Sequence, residues 1–203
     1  PAAAATAAAA TPKKGGTFTL GMTAGVVDFN PYNLSAGNVT WTRAVYNTPI
    51  YCDTELNLYP GLAEKWDVSA DGKSLTLKLR EGVKFHSGKE LTAEEVKFSA
   101  EYARTDNAVF MRSLFTAIEG VEVLDKYRPV IKFKNVYPGM FDLMVNMWIV
   151  EKDAVAKFPN AANGTGPFTV DKYVPNDRAE FIPFKDYYEK GKPYLDRFVV
   201  RVL

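Results

Sequence analysis

Glu94 and Glu95 are the first side chains in this 203-residue sequence that invite a catalytic reading, because paired carboxylates can serve as acid and base. As neighbours on a helix they would project about 100° apart, so they cannot flank one glycosidic bond. Their simpler role is at a helix N-terminus, capping it and opposing its dipole. His86 is the single histidine and sits in Phe85-His86-Ser87-Gly88. A Ser/His/Asp arrangement would have to use it, yet no GxSxG elbow supplies the nucleophile. Cys52 is the single cysteine, so it makes no internal disulfide, and it reads as a small buried residue rather than a thiolate. One His and one Cys without clustered spacing give no metal site from protein ligands alone. Asn163-Gly164-Thr165-Gly166-Pro167-Phe168 has paired glycines but completes neither GxGxxG nor GxxxxGK, which sets nucleotide binding aside. These residues imply no cofactor and no catalytic apparatus, and leave binding as the activity.

The totals narrow the partners. Twenty-five basic and 24 acidic residues leave a net charge of +1, so no overall field favours nucleic acid or an anionic membrane surface. A 47% hydrophobic content with 13% aromatics is enough for a core in one large or two small domains. No apolar run approaches the ~20 residues needed to cross a bilayer. Pro1 to Pro12 is almost pure alanine and threonine; it reads as the remainder after a signal cleavage site or as a flexible lead-in.

The elements that would position any binding group follow from periodicity. Phe18 and Leu20 alternate with threonines over Thr17 to Met22, as in a strand. Thr23 to Gly37 is a loop, with Asp28-Phe29-Asn30-Pro31-Tyr32-Asn33 dense in turn formers. Asn38 to Thr48 reads as a helix that Pro49 ends. Trp66 and Val68, a turn at Ala70-Asp71-Gly72-Lys73, and alternating Leu75, Leu77 and Leu79 make a hairpin with one apolar face. Thr92 precedes Glu95 by three residues, the spacing of a capping box, and Val96, Ala100 and Ala103 follow at helical spacing. Asp106 to Phe115 reads as a further helix, and Val121–Leu124 with Val130–Phe133 as a second hairpin. A short helix follows from Pro138, then a strand over Asn146 to Val150 and a short helix over Glu151 to Phe158. Phe168 to Tyr173, Ala179 to Phe184 and Arg197 to Val202 alternate as three strands.

The residue order carries more than the periodicity does. "GLAEKW…DGKSLTLKLREGVKFHSGKELTAEEVKFS" closely resembles the signature of the family 5, or cluster C, solute-binding proteins of ABC transporters, the oligopeptide-, dipeptide- and nickel-binding receptors. "GGTFTLGM", "GTGPF" and "KDYYEKGKPYLDRFVVRV" resemble the family's opening strand, return to the first lobe and closing segment, so the likeness runs from about Gly15 to Leu203. Where the family shows a Tyr-Glu pair, this chain has Tyr46-Asn47.

The resemblance implies an α/β, mixed α+β fold: a periplasmic-binding-protein-like type II lobe with an inserted α+β subdomain. Residues 1–14 would be a lead-in, 15–48 and 164–203 a discontinuous first lobe, and 49–163 the insert, with the second ligand-binding lobe lying in a longer receptor of which this is the N-terminal part. It further implies a receptor in the periplasm or on the outer face of the cell membrane. Such a receptor takes a small solute (peptide, chelated metal or oligosaccharide) between two lobes and delivers it to ABC permease subunits. The alternative is a family-derived surface interaction or sensory module without transport. From the resemblance, cleft contact falls to Asn30 and Tyr32 in the first loop, Trp41 on the facing helix, and Asn146 and Trp148 before the return; each could equally be ordinary core.

Overall fold

Alternation at both ends of the chain produces strands that meet despite their separation in sequence. In the computed structural model, which describes residues 12–203 except 24, 27, 34–38, 110 and 159, β1 (Thr17–Met22) lies parallel to β10 (Arg197–Val202), with Phe18 opposite Phe198. β8 (Phe168–Val174) and β9 (Arg178–Pro183) complete a four-stranded sheet in the order β1-β10-β9-β8. Phe181 and Phe198 stack at 5.4 Å, and Ala179, Phe181 and Val200 are buried, so one face of this sheet is core. The lead-in is outside the described residues through residue 11, and so is 34–37 of the loop expected after β1.

Between β1 and β8 the chain builds a second four-stranded sheet. β4 (Ala63–Val68) and β5 (Ser74–Leu79) form the expected hairpin, with Gly72 at φ 66° in its turn, a conformation that costs glycine little. β6 (Ile118–Asp125) and β7 (Arg128–Phe133) form the other hairpin, and the order is β4-β5-β7-β6. Leu75, Leu77 and Leu79 are fully buried, each contributing roughly 1.5–3 kcal/mol by removal from water. α2 (Ala93–Tyr102) lies against β6 and β7. Its capping box is formed: Thr92 Oγ1 accepts from Glu94 N, and the Glu95 carboxylate accepts from Thr92 N at 3.1 Å. Lys89 pairs with Glu95 at 3.1 Å. Thr92→Ala is expected to lower the urea midpoint by the equivalent of about 1 kcal/mol, because an orphan helix N–H loses its acceptor.

The remaining elements are short. α1 (Val39–Val45) is followed by a two-stranded ribbon of β2 (Ile50–Cys52) and β3 (Leu58–Pro60). Cys52 is only half-buried, so its expected burial is partial. Among the described residues of the expected 106–115, helix is found at α3 (Arg112–Phe115) alone. Side chains divert the backbone N–H groups before it: Thr105 Oγ1 accepts from Asn107 N and Asn33 Oδ1 accepts from Val109 N. α4 (Met140–Asn146) is present, but the strand expected over 146–150 is not. Asn146 ends the helix, and residues 147–150 run buried without a strand partner, Ile149 N donating to Asn47 O and Val150 N to Ser99 Oγ. The short helix expected over Glu151 to Phe158 is present as a 3-10 helix, Lys152–Lys157.

Candidate functional site

The loop that leaves the end of β1 is held by hydroxyl groups from three separate elements. Tyr173 at the end of β8 donates to Val26 O at 2.7 Å, Tyr46 after α1 donates to Phe29 O at 2.8 Å, and Tyr32 within the loop donates to Trp148 O at 2.6 Å. Burial raises the pKa of all three phenols, so each stays protonated and remains a donor. The loop is also closed on itself, Asp28 Oδ1 accepting from Asn30 N at 2.7 Å and Asp28 Oδ2 from Asn33 Nδ2 at 3.1 Å.

Asn30 joins this loop to α2. Its Oδ1 accepts from Tyr32 N at 3.1 Å, and its Nδ2 donates to Tyr102 Oη and to Asn107 O, each at 3.0 Å. At 3% exposure the amide has exchanged water for three protein partners. Asn30→Ala would leave the Tyr32 N–H and the Asn107 carbonyl without these partners. It is expected to cost about 2 kcal/mol in urea unfolding, against little change for an exposed control such as Asn57 on the β2–β3 ribbon.

Beside Asn30 lies an open cavity of about 500 Å³. It is lined by Asp28, Asn30 and Asn33 of the loop, by Tyr102 and Asn107, to which Asn30 is bonded, and by Val155, Ala156 and Phe158. The Tyr102 and Phe158 rings are 6.4 Å apart and inclined at 59°. Burial, then the charge of Asp28, raise the Tyr102 pKa, partly offset by the Asn30 amide. A wall that sets a carboxylate and three amides beside two aromatic rings suits reversible binding of a small polar molecule. Another concavity of about 420 Å³, lined in part by Arg43, Tyr51, Phe168, Tyr187 and Tyr194, lies where β8 and β10 begin. Ligands of open α/β sheets gather outside the C-terminal strand ends, which favours the cavity reached by the loop from β1.

The five residues singled out from sequence are distributed unequally around it. Asn30 lines the cavity. Tyr32 and Trp41 have no exposed surface, and Trp148 retains 3%. Tyr32 and Trp148 are joined to Asn30 by the hydrogen bonds above, whereas Trp41 packs edge-on to Phe29 at 5.4 Å. Half-buried Asn146 turns back to its own helix, Nδ2 donating to Asp142 O at 2.8 Å. Sequence reading passed over Asp28, Asn33, Tyr102, Asn107 and Phe158. Asp28 and Asn33 stood in a loop already recognised, but Tyr102 and Phe158 look like ordinary amphipathic positions.

His86 occupies a different place. Its Nε2 lies 3.0 Å from Gly166 O, and its Nδ1 accepts from Gly164 N at 3.4 Å, which assigns the proton to Nε2. Burial lowers its pKa to about 4, so at neutral pH it is an uncharged clasp on the Gly164–Gly166 segment. Ser87 Oγ donates to Glu151 Oε2 at 2.7 Å rather than to the imidazole, so these residues do not form a nucleophile and base pair. Among the described residues no group of three His, Cys, Asp or Glu is placed to hold a metal ion.

A sheet that joins the first and last strands, interrupted by a second sheet with its own helix and an open cavity at their junction, defines the lobe of a type II binding protein. The family model for bacterial extracellular solute-binding proteins, family 5 (middle) matches residues 57–203, and the chain belongs to that family. A Brucella ovis protein named for peptide binding in an ABC transporter is 31% identical over 188 residues, covering 86% of this chain and 35% of its own length. A glutathione-binding protein of Shigella boydii is 29% identical over 184 residues, 85% of this chain and 35% of the relative. Among solved structures, the oligopeptide-binding protein AppA of Bacillus subtilis, in complex with a nonapeptide, superposes with a TM-score of 0.87 at 24% identity, over 95% of this chain and 41% of that one. AgaA of A. tumefaciens R10, in complex with agropinic acid, gives 0.84 at 27% identity, over 93% and 40%. The chain therefore spans about a third of the length of the curated relatives it matches.

Proposed function

We propose that this chain is the first-lobe part of a solute-binding receptor of an ABC importer, acting outside the cytoplasmic membrane. The receptor captures a small peptide-like or comparable solute between two lobes and hands it to membrane permease subunits. Residues 15–48 and 164–203 serve as the discontinuous lobe and 49–163 as its inserted subdomain. The observation that carries this reading is the loop from β1, bonded through Asn30 to α2 while bordering an open cavity. A wall fixed in this way can meet a second lobe without reorganising, so that closure about a hinge is driven by contacts to the solute. Family membership and relatives named for peptide and glutathione binding support it. Asn30 is the direct contact in this proposal; Tyr32, Trp148, Trp41 and Asn146 act as the frame that keeps the loop and the 147–150 segment in place.

Isothermal titration of the full-length protein against pools of short peptides, oligosaccharides and metal chelates tests the reading. Saturable binding at micromolar or tighter affinity is expected from one pool. Silence across all pools, with retention on a partner protein, would replace it with a surface interaction or sensory role.

A further inference from the structure

We infer that the cavity beside Asn30 receives a cationic group of the solute, an ammonium or guanidinium, held by the Asp28 carboxylate beside the Tyr102 and Phe158 rings. The inference rests on the receptor reading and narrows the class of solute.

Charge within the cavity is one-sided. Among the described residues Asp28 is the one acidic or basic side chain on its wall, since the other lining side chains are amides, aromatics and aliphatics. Among the described residues each of its oxygens accepts a single bond from a neutral donor, the Asn30 N–H and the Asn33 amide. A carboxylate oxygen can accept more than one, so both retain capacity and the negative charge is not neutralised. Among the described residues no lysine or arginine forms an ion pair with it, whereas Glu90, Glu95 and Glu180 are met by Lys126, Lys89 and Arg178. Its charge is felt across the junction, where it raises the pKa of both Tyr102 and Tyr173.

The aromatic part of the wall adds to the preference. Ring faces attract cations through the quadrupole, and the Tyr102 hydroxyl is fixed by Asn30, so its ring need not be ordered on binding. Among the described residues no cation lines the cavity to compensate a solute carboxylate placed beside Asp28, which favours the solute's cationic end here.

Matched probes on the full-length receptor test this by titration calorimetry. Ala-Ala-Ala against N-acetyl-Ala-Ala-Ala reports a terminal ammonium; N-acetyl-Ala-Lys-Ala against the same peptide with norleucine for lysine reports a side-chain cation. In at least one pair the cationic member is expected to bind roughly tenfold tighter, the fold-change of a partly screened charge pair. In Asp28→Asn the difference should fall below about threefold, since the charge is removed while asparagine still offers an oxygen to the Asn30 N–H. The wild-type comparison needs no variant, so a poorly folded Asp28→Asn protein does not spare the inference. Equal affinity within both pairs, a gap that survives in a folded Asp28→Asn protein, or failure of every cationic probe to bind would overturn it. In any of those cases, binding of an uncharged pool member keeps the receptor reading, and silence of all pools removes that as well.

Discussion

Gly164→Ala is expected to destabilise the protein by about 3 kcal/mol or more, read as a shift in the urea midpoint with the slope unchanged. A Cβ at residue 164 would stand 2.1 Å from Val45 O and 2.7 Å from Tyr46 Cδ1. Neither can move cheaply. Val45 O accepts from Gly166 N at 2.8 Å, and Tyr46 is fully buried with its hydroxyl on Phe29 O. Relief would require separating the end of α1 from the returning segment, which also carries the His86 contacts. Gly166→Ala should behave alike, since its Cβ would meet the Ala44 and Val45 backbone at 2.5–2.6 Å. Gly120, whose Cβ would meet nothing within 4 Å, supplies the control, and Gly120→Ala should stay within about 0.5 kcal/mol. An unchanged midpoint in Gly164→Ala would mean that α1 and the return do not pack at this distance.

Acidification should weaken the fold through a single histidine before any carboxylate titrates. The folded His86 has a pKa of about 4, lowered by burial and only partly restored by its bond to Gly166 O, whereas the unfolded chain has about 6.5. Above pH 6.5 the imidazole is neutral in both states and contributes no pH dependence. Below it the unfolded state takes up a proton that the folded state refuses, so stability falls with pH until about 4 and then levels. Relative to its value well above pH 6.5, the loss should reach about 2 kcal/mol at pH 5, the slope approaching 1.36 kcal/mol per unit. Carboxylates of the unfolded chain titrate near 4, so this window belongs to His86. In His86→Gln the urea midpoint should be flat across it. A wild-type midpoint equally flat from pH 6.5 to 5 would mean that the imidazole is open to protonation in the folded state.

The contrast between these two sites shows how differently residues declare themselves. Thr92 and Glu95 specify their own geometry, because a capping box closes within one helical turn and needs nothing from elsewhere. The Leu75, Leu77 and Leu79 face, the turn at Gly72 and both hairpins were legible for the same reason: period-two alternation and a positive-φ glycine are local properties. Failures arose where side chains or distant segments took over the backbone hydrogen bonds. Asn33 captures Val109 N and Thr105 captures Asn107 N, which breaks the apolar helical pattern of 106–115. Ser99 and Asn47 supply the partners of 147–150, so that apolar run is buried without joining a sheet.

Alternation, capping and turn chemistry, together with the residue order of the signature, determined the element types, the family resemblance and the loop in which Asp28 and Asn30 stand. Tertiary structure decided which loop residues face a cavity and which become core. Tyr32 and Trp41 are enclosed, while Asp28 and Asn30 border open space with Tyr102 and Phe158 brought in from far along the chain. The physical reason is range. A turn or a cap is fixed by hydrogen bonds spanning three or four residues, whereas burial and an uncompensated charge depend on what every other segment places nearby.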